Sequence, residues 1–496
     1  MNRRKALAAA LGPLLAGCAG PSSRRDGIEA DGSALLNRLS WGATPSSRAG
    51  LARQGTRDFI EAQLQPDPSA QLPPAMQAQI DAMTISRTPT DTLVTAMVQQ
   101  RRDADALADD EAKQAARKAW QQEMTRLARE AASRSLLRAV AAAQQLQERM
   151  TWFWANHFSV YDGKHELRAM VGDYEERTLR PRALGKFRDL LIASATHPAM
   201  LRYLDNDQNA AKRPNENFAR ELMELHTLGV DGGYSQQDVQ ELARVLSGLG
   251  VNLNGTTPSL RPPLAALYLR RGLTEFNPAR HDRGAKIVLG HAVAADGGWD
   301  EIIDQLTRLA REPATAHHLS RQLAMYFVAD DPPPALVERI GRRFIASDGD
   351  IALCLQALFD APEFRQSLGQ RFKDPMQYVL SAVRLASEGQ PTLDPAPMLG
   401  WLNRLGEAPF RRQTPDGYPL AASAWSGSGQ MSTRFEIARA IAGGRSGLLP
   451  ADTARARFAS DSAGSLGAPT RSALDAAASP QDWNALLLSS PEFMRC

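Results

Sequence analysis

Apolar residues recur every three and four positions along most of the chain, the period of an amphipathic helix. The longest such stretch covers about 88–158. Its first part, Arg101 to Glu130, is polar and alanine-rich and reads as a solvated helix or a partly frayed one. Its second part carries Leu136, Leu137, Val140, Leu146, Met150, Phe153, Trp154 and His157. His157 lies on that apolar stripe and reads as a core histidine rather than a ligand. Further helical patterns fall near 33–38, 56–65, 184–195, 216–228, 236–249, 299–311, 314–328, 335–346, 351–360, 374–387 and 434–443. Ser235 and Asp238 mark a capping box that opens one of them. The segments 358–364 and 487–493 resemble each other, each a helix stopped ahead of Pro-Glu-Phe. Strand patterning is confined to 266–276 and 287–289, expected to pair across Pro278 and a His281-Asp282-Arg283-Gly284 turn. The expected fold is mainly α, a large multi-helix domain with at most a small β-hairpin.

The first residues follow a different pattern. Arg3-Arg4-Lys5 precede an apolar run over 6–17, too short to span roughly 30 Å of hydrocarbon but right for a signal peptide. The run ends in Leu15-Ala16-Gly17-Cys18, which resembles a bacterial lipobox. Cys18 is thus the expected lipid attachment point, and lipid on it the expected contact with the membrane. Residues 18–32 would form a tether, 33–445 a single helical domain, and 446–496 an Ala/Ser-rich loop with a C-terminal helix packing on that domain. No aspartate follows Cys18. In lipoproteins of this type that implies outer-membrane sorting, with the protein facing the periplasm. Arg3-Arg4 also resembles a twin-arginine signal, although Ala6 stands where a bulky apolar residue is usual. Both export routes stay open.

Composition narrows the classes. Hydrophobic residues at 43% and charged residues at 23% exclude wholesale disorder. A net charge of +3 over 496 residues carries no nucleic-acid footprint. Three cysteines exclude a disulfide-stapled scaffold, and nothing in the spacing of Cys354 and Cys496 requires them to pair.

Walker-type loops, paired C-x-x-C and G-x-S-x-G elbows are absent from the sequence. His165-Glu166 begins like a zinc-protease helix, but Ala169 stands where the second histidine belongs. His317 and His318 point about 100° apart on a helix and make poor co-ligands. The informative stretch is His197 to Tyr234, where Asp, Asn, Glu and His crowd between apolar anchors. On a helical wheel Asn217, Glu221 and Glu224 share a face with Arg220 beside them, while His226 falls nearly opposite Asn217. Two readings stand: a solvated face with an Arg220–Glu224 pair, or a polar site that holds a divalent metal. Asp205, Asp207, Asn209 and Glu216, the last at the twelfth place, fit the oxygen spacing of a calcium loop. Against it, Ala210 replaces the turn glycine, Lys212 an apolar residue, and Pro214 precedes the exit.

Several blocks together resemble a known family. They are Leu36-Asn37-Arg38-Leu39-Ser40-Trp41-Gly42-Ala43-Thr44-Pro45, Glu148-Arg149-Met150 through Asn156-His157-Phe158, and Asn215 through Tyr234. His281-Asp282 with Gly284 and Lys286, Ser347-Asp348-Gly349-Asp350-Ile351 and Pro362-Glu363-Phe364 complete the series, in order from about 33 to 445. The chain resembles the bacterial domain-of-unknown-function 1800 family. The resemblance implies a large, mainly helical, exported protein and names no activity. Its members are often encoded beside a secreted sulfatase-like protein, which suggests a partner. Leu249 departs from the usual tryptophan, and Asp207 is an acidic residue at a variable position. Two functions follow as expectations. One is a lipid-anchored assembly or partner-holding factor. The other is a periplasmic enzyme, such as a metal-dependent hydrolase, using His197, Asp205, Asn206, Asn217, Glu221, Glu224, His281 and Asp282.

Overall fold

The computed structural model describes residues 32–67, 69–444 and 466–496. The signal-like segment, Cys18, nearly all of the expected tether and most of the alanine- and serine-rich stretch lie outside them.

Helices build the described chain, and local chemistry sets their ends. The longest, Asp110–Ala141, opens where the Asp109 side chain accepts the N–H of Ala112. Ser235 and Asp238 form the expected capping box on Gln236–Val245. Proline at the first turn starts Pro198–Tyr203, Pro334–Ala346, Pro362–Ser367 and Pro375–Ser387, where its missing N–H is not needed.

These helices bury two adjoining apolar cores. One gathers Met124, Leu127, Phe153, Trp154, Phe187, Phe218, Leu242, Leu306 and Phe344. The other gathers Trp41, Leu136, Leu137, Tyr378, Leu402, Ile437 and Leu488. The Asp110–Ala141 helix serves both, so its first half is not simply solvated. Trp120, Met124, Leu127 and Ala131 are buried, and their spacing of four, three and four makes one apolar face within the alanine-rich run. Arg38 ties distant segments together. Its Nη1 donates to Ser367 Oγ at 2.9 Å and its Nη2 to the Ser367 carbonyl at 2.7 Å. The same fork reaches the carbonyls of Phe327 and Cys496.

Strand content is small but differs in pairing from the sequence expectation. Leu249–Val251, Thr274–Phe276 and Leu269–Arg271 form one antiparallel sheet with Thr274–Phe276 in the middle. Lys286–Val288 pairs instead with His291–Val293. A tight turn at Gly272, with φ of 60°, closes the 269–276 hairpin on itself and leaves its outer edge to 249–251. Residues 249–251 continue an apolar helical pattern in sequence. Gly248, with φ of 80° and room for no Cβ beside the Asn277 carbonyl, ends that helix and starts the strand.

Candidate functional site

The polar stretch begins at a helix cap. His197 Nδ1 accepts the Ala199 N–H at 3.1 Å, so its proton sits on Nε2, 3.2 Å from Asp173 Oδ2. The tautomer is fixed by the cap. Burial works to raise the Asp173 carboxyl, but the bond from His197 leads the contacts that leave it lowered.

The next residues knit three segments of backbone together. Asp205 takes a left-handed conformation with φ of 60° and pairs with Lys164 at 2.8 Å. Asn206 donates to the carbonyls of Leu246 at 3.1 Å and Leu249 at 2.8 Å. Only the backbone of Leu249 is used, so a different side chain there leaves the bond intact. Asn209 donates to the Ala243 carbonyl at 2.8 Å and accepts the Asn215 N–H at 3.0 Å. Asn217 donates to the Leu204 carbonyl at 3.1 Å. Buried amides that satisfy backbone carbonyls join the loop to its neighbours.

The four residues with calcium-loop spacing are each engaged elsewhere. Asp205 faces Lys164, Asp207 pairs with Arg202 at 2.6 Å, and Asn209 holds backbone. Glu216 receives Arg220 at 3.1 Å and Gln236 at 2.6 Å. Arg220 thus pairs with Glu216, not with Glu224. Among the described residues no group of three or more His, Cys, Asp and Glu side chains is placed to hold a metal ion.

His281 and Asp282 take their partners from a different set of elements. His281 Nδ1 donates to the Ser247 carbonyl at 2.7 Å, which leaves it unable to accept from the Ser247 hydroxyl 3.4 Å away. Its Nε2 lies 3.6 Å from Glu301, and Glu301 pairs with Lys286 at 2.7 Å, all three side chains almost fully buried. Asp282 is gripped by Arg244 at 2.9 Å, and its carboxyl is held below the usual range by that bond.

Glu221 and Glu224 lie half-buried on the same helix. Burial, then the neighbouring Glu224, push the Glu221 carboxyl up, and Asp416 adds to it against Arg220. Burial, Asp416 and Glu221 also push the Tyr203 phenol up. Tyr203 donates to the Gln413 carbonyl at 2.8 Å, which brings the Asp416 loop beside the helix. His281 and Asp282 share no partner with this cluster. Sequence reasoning missed Glu301, Asp416 and Tyr203 as participants. Glu301 was the most legible, a carboxylate one residue before Ile302 on the apolar stripe of Trp299–Arg311.

His226 and His318 join His157 in the first core, with ring centroids 6.0 and 6.3 Å from it. The N–H of His226 donates to the Glu221 carbonyl, a wider turn that ends the helix and swings the ring inward. Burial pushes the His226 imidazole down to about 3, and holds His157 and His318 down as well.

The fold and this polar layer define a large, mainly helical protein whose densest polar motif is hydrogen-bonded into its own framework. A family model described as a protein of unknown function, DUF1800, matches residues 34–495, and the chain belongs to that family. No curated protein and no solved structure matches the chain.

Proposed function

We propose that the chain is an exported, lipid-anchored protein that holds a secreted, sulfatase-like partner at the periplasmic face of the outer membrane. One observation carries the reading: Asn206, Asn209, Asn217, His197 and His281 are bound to backbone groups of this chain. A motif so engaged builds a rigid platform. The Leu15-Ala16-Gly17-Cys18 pattern supports the anchor, and no helix among the described residues is long and apolar enough to cross a membrane. The test is metabolic labelling with an alkynyl fatty acid, followed by cross-linking and immunoprecipitation from membranes. The parent takes the label, Cys18→Ala does not, and the sulfatase-like protein is recovered with the parent. Equal labelling of both chains, or recovery without that protein, overturns the reading.

A second reading rests on Glu221 and Glu224. A carboxyl raised by burial with a second carboxyl one turn away is what an acid/base pair or a divalent metal site requires. Calorimetric titration with calcium and with zinc tests it. Heat that disappears in Glu221→Gln favours an enzyme. Heat that disappears in Glu216→Gln instead favours the calcium loop.

A further inference from the structure

A cavity of about 420 Å³ opens between the helical residues 32–39, the C-terminal end of Asp110–Ala141 and the end of Pro375–Ser387. Its volume falls in the range of small-molecule sites, roughly 300–1,000 Å³. Leu36, Phe59, Met76, Val140 and Leu393 give it apolar walls.

One cation stands in that wall. Arg384 is 8% exposed. Its Nε donates to the Gly42 carbonyl at 3.3 Å, and its Nη1 to the carbonyls of Ala139, at 3.4 Å, and Val140. Capping the long helix accounts for Nη1, and the Gly42 carbonyl accounts for Nε. Neither accounts for Nη2, which bonds to no protein atom. Burial brings the guanidinium down to about 10, so it stays charged at neutral pH.

The acidic group in electrostatic reach is Glu388, one turn further along the helix. Its Oε1 accepts the Ser46 N–H at 2.9 Å at the cavity rim. Glu388 therefore tempers the positive potential of the cavity without occupying the Arg384 fork.

We infer that this cavity binds a long-chain carboxylate, with the carboxylate on Arg384 Nη2 and the alkyl chain along Leu36, Phe59, Met76, Val140 and Leu393. The wall also carries Ser40, Thr44, Gln145 and Glu388, but its one cation selects an anion at one end of a ligand whose chain follows the apolar side. A neutral alcohol of the same length fills the walls but leaves the cation without its charge partner. An alkylammonium meets Arg384 as a like charge. The inference is independent of the partner-holding reading, because none of these residues belongs to the 197–234 motif.

The test is calorimetric titration of the full chain with dodecanoate, dodecanol and dodecylammonium, each below its micelle concentration. Dodecanoate binds one to one and at least tenfold more tightly than dodecanol, and dodecylammonium does not bind. Arg384→Met weakens dodecanoate at least tenfold and dodecanol little. Glu388→Gln tightens dodecanoate several-fold, a gain that loss of a merely structural contact does not produce. Val140→Trp fills the cavity while keeping the cation, and abolishes binding of both ligands even if Arg384→Met proves unstable. No heat with dodecanoate, equal affinity for dodecanol, or binding that survives Val140→Trp overturns the proposal.

Discussion

Two fully buried cations show two ways of keeping a charge out of water. Lys286 meets a carboxylate, Glu301, at 2.7 Å, a charge contact without hydrogen-bond geometry, with His281 on the carboxylate's other side. Arg149 meets none. All three of its side-chain nitrogens lack an acceptor, and its guanidinium lies 4.8 Å from the Trp41 ring centroid and 4.7 Å from that of Tyr326. Trp41 belongs to one core and Tyr326 to the other, so Arg149 sits on the seam between them. Arg38, Arg371 and Lys373 are neighbours on the same seam. The first site is organised by an ion pair and the second by ring faces, which offer a cation up to about 2 kcal/mol when desolvated. The difference predicts opposite responses to losing a charge.

Removing the partner is the costly change where a partner exists. Glu301→Gln leaves Lys286 buried and uncompensated, and urea denaturation should show a loss of about 3–5 kcal/mol. A loss under about 1 kcal/mol would mean that the pair contributes as little as a surface bridge.

Acid sharpens the same contrast in the first core. The His226 imidazole is held near 3 by burial, against an ordinary value of 6.5, and His318 adds to the effect. The unfolded chain takes up the proton first, so stability is complete above about pH 6.5 and falls as pH drops toward 3. Between pH 6.5 and 4 this histidine alone should remove about 3 kcal/mol, at about 1.4 kcal/mol per unit. Its Nε2 has no partner, so His226→Phe loses no side-chain hydrogen bond and should flatten the acid limb of stability against pH. An unchanged slope in that variant would assign the acid response to other groups.

The smallest effect is expected at the seam. Arg149→Met keeps most of the volume, strands no carboxylate and relieves repulsion among neighbouring cations. Its stability should stay within about 1 kcal/mol of the parent, the loss of ring contact offset by the lost desolvation penalty. A loss above 3 kcal/mol would show that Arg149 has an acceptor, such as bound water.

These contrasts mark what could be read in the sequence. The helical period, the Ser235 capping box and the inward face of His157 were legible because each depends on residues within one or two turns. The pairing of 269–276 was misread because a tight turn at Gly272 competes with the longer connection, and spacing alone does not rank them. The scaffold role of Asn206 and Asn209 was hidden because their acceptors, the carbonyls of Leu246, Leu249 and Ala243, lie more than thirty residues away. Backbone acceptors leave no side-chain signature. The same holds for Arg38, whose block stood out in sequence while its four contacts at Phe327, Ser367 and Cys496 did not.

The central claim is that the densest polar motif of this family member holds its framework together. Chemical denaturation of Asn206→Ala tests it most directly. The variant removes an amide that joins its loop to two carbonyls and leaves that of Leu246 only the 3.3 Å bond from the Leu249 N–H, so a loss of about 1–3 kcal/mol is predicted, the magnitude for buried groups that lose a partner. A variant as stable as the parent would contradict the account and return Asn206 to the residues available for chemistry.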